Sequence, residues 1–257
     1  MDLQVTTMAE WAAKGESPDL LFWVGCAGSF DDRHKKVTRA LAEILNHVGI
    51  KFAVLGTEEA CTGDPARRAG NEFLFQMQAM QNIEVLNMYG VQKIVTACPH
   101  CFNTLKNEYP SLGGTYEVIH HSQLLADLLA AGKIQFNEQK ETIAFHDSCY
   151  LGRGNGIFEA PREIITGLKK ELKELKSCRN KGLCCGAGGA QVFKEPEAGT
   201  EDVQVKRTGE ILESGVNKVA LACPFCMVML QDGLNKSGKE HEIQVVDLAE
   251  LVQQSLK

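Results

Sequence analysis

The chain has 257 residues, 44% of them apolar, a formal charge of −6 and ten cysteines. That is apolar material enough for one large core or two similar ones, which excludes a disordered chain. Lysine and arginine are scattered rather than gathered in a stripe, which argues against a nucleic-acid partner; the apolar run 20–24 is too short to cross a bilayer and lacks the flanks of a secretory signal, so the cytoplasm is the expected location.

In chain order, residues 1–18 read as an N-terminal arm. "DLLFWVGC" is a buried strand, followed by a helix whose inner face is Val37, Leu41, Ile44, Leu45 and Val48 and which Gly49 ends. "KFAVLG" is the next strand. Asp64 is placed to cap a helix with Pro65 in its first turn, and that helix is expected to carry on through Phe73, Met77, Met80 and Val85 to about Tyr89. "KIVTA" is a third strand, Pro99 opens a short helix, and "YEVIH" with "SQLLADLLAAG" supplies a last strand and helix. After a linker at 135–141 the pattern restarts with "TIAFHD", a helix near 161–168, a glycine-rich turn, a helix near 203–214, "KVALA" and "IQVVDLAELVQQ". This alternation predicts an α/β fold of two pseudo-symmetric Rossmann-like halves, 19–134 and 142–257, each with a mostly parallel sheet.

The halves read as a duplication. Cys26 and Cys149 are 123 positions apart, as are Cys61 and Cys184, while Cys98/Cys223 and Cys101/Cys226 are each 125 apart. "KIVTACPHCFNTL" repeats as "KVALACPFCMVML". In a reducing compartment, thiols in such patterns bind metal more often than they form disulfides.

In an open parallel sheet the loops beyond the carboxyl ends of the strands meet at one edge. Cys26, Cys61 and Cys98 each follow a strand. Cys98 and Cys101 stand one turn apart at a helix start, where free amides favour thiolate charge. The second half repeats this with Cys149, Cys184, Cys185, Cys223 and Cys226. Five sulfurs at one point repel as bare thiolates unless metal neutralises them, and one zinc takes only four ligands, so the second half favours a multi-iron cluster. Gly186, Gly188 and Gly189 let the chain turn sharply there and aim backbone N–H groups at cluster sulfides.

Cys149, the vicinal pair with its glycine in "GLCCGAGGA", and the Cys-x-x-Cys pair that starts 38 residues beyond Cys185 resemble the cysteine-rich CCG domain. That domain belongs to the B-type and D-type subunits of heterodisulfide reductase and to iron-sulfur subunits of glycolate, lactate and glycerol-3-phosphate oxidation systems. The resemblance covers roughly 20–257. It implies a noncubane [4Fe-4S] cluster on Cys149, Cys184, Cys185, Cys223 and Cys226, at which disulfide chemistry occurs. The first half departs from it: "ACTGDPARR" has Thr62 where the second vicinal cysteine should stand. Cys26, Cys61, Cys98 and Cys101 are left as ligands for a cubane [4Fe-4S] cluster or zinc, unless that site is vestigial.

The resemblance implies the iron-sulfur redox subunit of a heterodisulfide-reductase-like oxidoreductase, exchanging electrons with a disulfide, another small-molecule substrate or a partner. The chain has no Cys-x-x-Cys-x-x-Cys-x-x-x-Cys-Pro segment, so a ferredoxin-like iron-sulfur subunit, resembling the C-type subunit of heterodisulfide reductase, is an expected partner. Beyond it a flavoprotein or a quinone-linked membrane subunit is expected, which would hold the chain peripheral to the membrane. Two other functions stand beside this one: an electron-transfer subunit of a lactate- or glycolate-type oxidation system with no disulfide substrate, and a zinc-binding scaffold. A thioredoxin-type redox pair is disfavoured because the Cys-x-x-Cys motif occurs twice, each time with further cysteines upstream.

His146, in "FHDSCYLGR", is a catalytic candidate: it could donate to a cluster sulfur or relay a proton to a substrate thiolate. Arg153 is the second, offsetting cluster charge or holding an acidic substrate. His100 is expected beside the first-half ligands, and His120 and His121 at a strand end on the same edge. His34, His47 and His241 are expected at the surface, Cys178 as a bystander thiol, "GRGNG" as a flexible turn, and Arg67 with Arg68 as a solvated helix face.

Overall fold

The structure, a computed structural model, describes residues 3–138, 140–195 and 198–257. The chain divides between Leu124 and Leu125 into two compact units. The first contains β1 (Thr6–Thr7), β2 (Leu20–Trp23), β3 (Phe52–Val54), β4 (Lys93–Thr96) and β5 (Glu117–His120), ordered β1-β3-β2-β4-β5 with every pair parallel. The second contains β6 (Thr142–Phe145), β7 (Glu171–Lys173), β8 (Lys218–Leu221) and β9 (Gln244–Asp247), ordered β7-β6-β8-β9, again all parallel. That order repeats β3-β2-β4-β5, so the duplication read from the cysteines extends to topology. Parallel neighbours need crossover connections, and helices supply them.

β2 reads Leu-Leu-Phe-Trp and is buried at every position, the continuous apolar run of a strand covered on both faces. The helix Asp32–His47 starts where Asp31 accepts the His34 N–H at 2.7 Å. Val37, Leu41, Ile44 and Leu45 are fully buried along it, as the periodicity predicts, and Gly49 follows its end at φ 73°.

Three segments depart from expectation. The arm is structured: Thr6 and Thr7 pair with β3, and Thr7 forms a capping box with Glu10 at the start of the helix Met8–Ala13. In the linker, where residue 139 lies outside the described residues, Phe136 bridges antiparallel to Leu256 and the Asn137 N–H donates to the Ser255 carbonyl at 2.8 Å. The single helix expected from Asp64 to Tyr89 is two, Asp64–Arg68 and Glu72–Met88. Gly70 turns the chain at φ 88°, and the Asn71 side chain caps the second helix by accepting the Leu74 N–H. Asp64 is consequently not the cap. That place belongs to Gly63 at φ 88°, where a Cβ would press against the backbone of Phe75.

The second helix also faces the other way from the apolar row seen in sequence. It buries Phe75, Ala79, Ile83 and Leu86, and leaves Phe73, Met77, Met80 and Met88 exposed by 54 to 75%. The helix is apolar on two faces, so periodicity alone could not choose the inner one. Among the described residues no helix is long and apolar enough to cross a membrane.

In the second unit the helices Val203–Glu213 and Pro224–Lys236 pack closely because Gly233 has no side chain. A Cβ there would lie 2.6 Å from the Gln204 carbonyl oxygen and 2.9 Å from the Thr208 methyl. Gly233→Ala should therefore push the two helices apart and destabilise the protein by about 1–3 kcal/mol, read as a lower midpoint in anaerobic urea unfolding.

Candidate functional site

Nine of the ten cysteines stand beyond the carboxyl ends of parallel strands. In the first unit Cys26 enters the short helix Gly25–Phe30 after β2, Cys61 follows β3 by way of the turn Gly56–Glu58, and Cys98 and Cys101 bracket the start of the helix Pro99–Asn103 after β4. In the second, Cys149 follows β6, Cys184 and Cys185 follow β7 and the turn Arg179–Lys181, and Cys223 and Cys226 open the helix after β8. All are free thiols.

The sulfurs touch. In the first unit Cys26 is hydrogen-bonded to Cys61, and Cys98 to Cys101. Giving a proton to its neighbour drives Cys26 well above the ordinary thiol range, while accepting it brings Cys61 down to about 7. Burial works against charge on Cys98, yet the Cys101 thiol, His100 and the amides of Cys101 and His100 hold it low. Cys101 is raised by its bond to Cys98, by burial and by the charges of Cys98, Cys26 and Cys61. Thr62, standing where a fifth cysteine is missing, places its hydroxyl 3.9 Å from the Cys101 sulfur.

In the second unit the hydrogen bonds run unbroken from Cys149 to Cys184, Cys185, Cys226 and Cys223. Cys184 is held far below the thiol range by Cys149 and Cys185, helped by the Gly186 N–H at 3.3 Å and the charge of Arg153. Cys149 and Cys185 are pushed far up, both by their bonds to Cys184 and by burial. The Cys185 bond pulls Cys226 down, but Cys223 and burial more than reverse it. Thiols that trade protons because they cannot all ionise together form the donor set that a soft, multivalent metal group neutralises. Gly186, at φ 96°, is the one glycine of its loop whose N–H meets a cysteine sulfur among the described hydrogen bonds.

The structure brings both catalytic candidates to the second set. His146 directly follows β6, and one of its ring nitrogens lies within 4.8 Å of the Cys185 and Cys226 sulfurs. Burial and then the Arg207 charge push its pKa down to about 3, so the ring is neutral at physiological pH. Arg153 is exposed; it donates to the Gly182 carbonyl, and its charge reaches Cys184. Cys178 lies outside both sets, before the turn Arg179–Lys181, with its pKa raised by burial.

Several other expectations need correction. "GRGNG" is a helical turn, Gly152–Asn155, tied back to the ligand loop where the Gly154 N–H donates to the Cys149 carbonyl at 2.9 Å. Arg67 and Arg68 are not a solvated face: both pair with Glu108, and Arg68 also holds Asp64 at 3.0 Å. His34 is buried, 2% exposed, and His47 half-buried, whereas His241 is exposed. His120 ends β5 and His121 opens the helix that follows, both fully buried and 3.3 Å apart at the ring nitrogens.

Sequence reasoning missed the supports around each set. Glu59 accepts the Val24 N–H at 3.0 Å and the Gly25 N–H at 2.6 Å, shaping the turn that carries Cys26, and burial lifts its carboxyl to about 7. Asp64 meets His100 Nδ1 at 2.9 Å. In the second unit Asp147 and Arg162, both buried, form a two-point pair at 2.9 and 3.0 Å, which Arg162 extends to Glu174 while Asp147 accepts the Arg179 N–H. Glu59 and Asp64 stand near a cysteine in sequence and were findable there; Arg162 and Arg207 come from separate helices and carried no local signal.

Residues 20–106 and 143–231 match the cysteine-rich domain family termed CCG, and the chain belongs to that family. It is 42% identical over 250 residues to the EtfAB:quinone oxidoreductase of Syntrophomonas wolfei, covering 95% of this chain and 35% of that one. It is 42% identical over 257 residues to the "Probable iron-sulfur-binding oxidoreductase FadF" of Bacillus subtilis, covering 99% and 36%. To a dihydromethanophenazine:CoB–CoM heterodisulfide reductase subunit of Methanosarcina barkeri it is 34% identical over 253 residues, covering 94% and 60%. The chain thus spans about a third of the length of the first two relatives.

Removing one partner of a buried ion pair leaves the other charge unpaired in a poorly solvating interior. Arg162→Met, which strands Asp147 beside Cys149, should cost about 3–5 kcal/mol of unfolding free energy in anaerobic denaturation. A change within about ±0.5 kcal/mol would show that the pair does not brace this loop.

Proposed function

We propose that this chain is the cluster-bearing redox module of a larger oxidoreductase. Cys149, Cys184, Cys185, Cys223 and Cys226 would hold a noncubane [4Fe-4S] cluster, as the family resemblance implies. The observation that carries this reading is the placement of those five cysteines in the loops beyond three neighbouring parallel strands, where each shifts the ionisation of the next. Cys26, Cys61, Cys98 and Cys101 would hold a cubane [4Fe-4S] cluster, Thr62 standing in place of a fifth sulfur. Iron rather than zinc is supported by a relative named for iron-sulfur binding. When bound, such clusters supply one-electron steps. The chain's own part is to ligate them, to offset their charge through Arg153 and the Gly186 amide, and to keep the ligand loop rigid through Asp147 and Arg162.

Electrons must reach the module from elsewhere. A ferredoxin-like subunit, with a flavoprotein or a quinone-linked membrane subunit beyond it, is the partner set we assign. A relative named for a quinone and another named "Probable membrane-anchored ferredoxin", from Chromohalobacter salexigens, support it. Location at the face of a membrane through those partners follows. The outward Phe73, Met77, Met80 and Met88 support burial of that helix in an assembly, since apolar rows of this kind mark contact surfaces.

A second reading adds a disulfide substrate, favoured by the likeness to the heterodisulfide reductase of Methanosarcina barkeri. Cys149 and Cys184 are only half-buried while Cys185, Cys223 and Cys226 are buried, which leaves one side of the sulfur set within reach of a small molecule. Reduction would take two electrons and two protons per disulfide and release two thiols.

Anaerobically purified protein should be brown and contain about four irons and four sulfides per cluster. Cys185→Ser should lose the iron and the spectrum of the second unit and keep those of the first; unchanged iron and spectra would disprove the fivefold site. With reduced viologen as electron donor, release of thiol from added heterodisulfide supports the second reading, and reoxidation of viologen by a quinone analogue without thiol release supports the first.

A further inference from the structure

His146 and Trp23 occupy the same place in the two repeats, each three residues before the first cysteine of its set. Both are buried, 1% and 0% exposed, and each carries a ring nitrogen, His146 Nε2 and Trp23 Nε1, with no hydrogen-bond partner among the described residues. An indole nitrogen can only donate. An imidazole nitrogen either donates or ligates a metal, depending on which of the two holds the proton.

Arg207 makes that choice. Its Nε donates to His146 Nδ1 at 3.0 Å. A guanidinium has no acceptor, so Nδ1 must be the unprotonated nitrogen, and the one proton of the neutral ring sits on Nε2. A histidine that ligates a metal has the opposite polarity, giving its other N–H to a carboxylate or carbonyl. Arg207 is itself fixed from two sides: Nη1 donates to the Ser177 carbonyl at 3.0 Å and to Glu210 at 2.8 Å, and the residue is 0% exposed. Nδ1 is committed to Arg207, which leaves Nε2, buried and without a partner among the described residues, as the nitrogen free to donate; the ring comes within 4.8 Å of the Cys185 and Cys226 sulfurs at one of its nitrogens.

We infer that Arg207 is a positioning residue that locks His146 in the Nε2–H tautomer, so that the imidazole donates an N–H hydrogen bond to the sulfur-rich group held by Cys185 and Cys226 and does not ligate it. The identity of the acceptor rests on the cluster reading above; the tautomer does not. Hydrogen bonds to cluster sulfur favour the reduced, more negative state, so this donor raises the potential of the second-unit cluster.

Histidine-selective nitrogen-15 NMR on the metal-free, thiol-reduced full chain reads the tautomer with no variant required. The expected result is a protonated Nε2 and a bare Nδ1; a protonated Nδ1 overturns the inference whatever the cluster does. Arg207→Met should shift His146 toward a mixture of tautomers, and Arg207→Lys, which keeps a donor, should restore part of the preference; no change in Arg207→Met also overturns it. In the loaded protein, Arg207→Met should keep its iron and sulfide, lose an exchangeable-proton coupling in pulsed EPR and show a lower midpoint potential. Unchanged coupling and potential at full iron content sink the proposed donation, whereas absence of iron from the wild type sinks the cluster reading and leaves the tautomer measurement to decide this one.

Discussion

Thiolates placed within hydrogen-bonding reach of one another repel, and each one added raises the cost of ionising the next. In the second unit five sulfurs act on one another along one run, with Cys184 pulled below the ordinary thiol range and Cys149, Cys185 and Cys226 pushed above it. Only a scaffold that supplies sulfur from several directions at once can produce that crowding. A parallel sheet does so, because its strands all finish at the same edge and each loop beyond it can contribute a ligand. The order β7-β6-β8-β9 puts the loops after β6, β7 and β8 side by side, and those loops carry all five cysteines of the set.

Around this sulfur core the chain places fixed charges and donors rather than apolar packing alone. Asp147 and Arg162, both buried, neutralise one another near Cys149, and in the first unit buried Asp64 and His100 pair, with half-buried Arg68 holding Asp64. The two repeats have diverged at one telling contact. Where Cys185 faces Cys226, the first unit has the Thr62 hydroxyl 3.9 Å from the Cys101 sulfur, a polar contact in place of a fifth thiol. The repeats therefore offer different donor numbers on the same backbone plan.

Much of this was legible in the sequence. Strand runs such as Leu-Leu-Phe-Trp are buried on both faces and announce themselves by apolar continuity, and the equal offsets between cysteines revealed the repeat without structure. The placement of the cysteines beyond the strand ends was legible for the same reason, since cysteine spacing carries its own register. The helix Glu72–Met88 was not, because Phe73, Met77 and Met80 form as good an apolar row as Phe75, Ala79 and Ile83, and only the fold decides which row faces the sheet. The break at Gly70 and Asn71 hid behind that same apolar continuity. Arg207 was invisible for a different reason: it lies 61 residues from His146 in the chain, and a contact of that span has no local periodicity to betray it.

The uneven burial of the five sulfurs carries one more implication. Cys149 and Cys184 are half-buried, while Cys185, Cys223 and Cys226 are buried. Oxygen and peroxide attack accessible thiolates first. Agents that arrive from solvent should therefore meet the Cys149 and Cys184 side of the set first, so that the loop most exposed for chemistry is also the place where the protein ages.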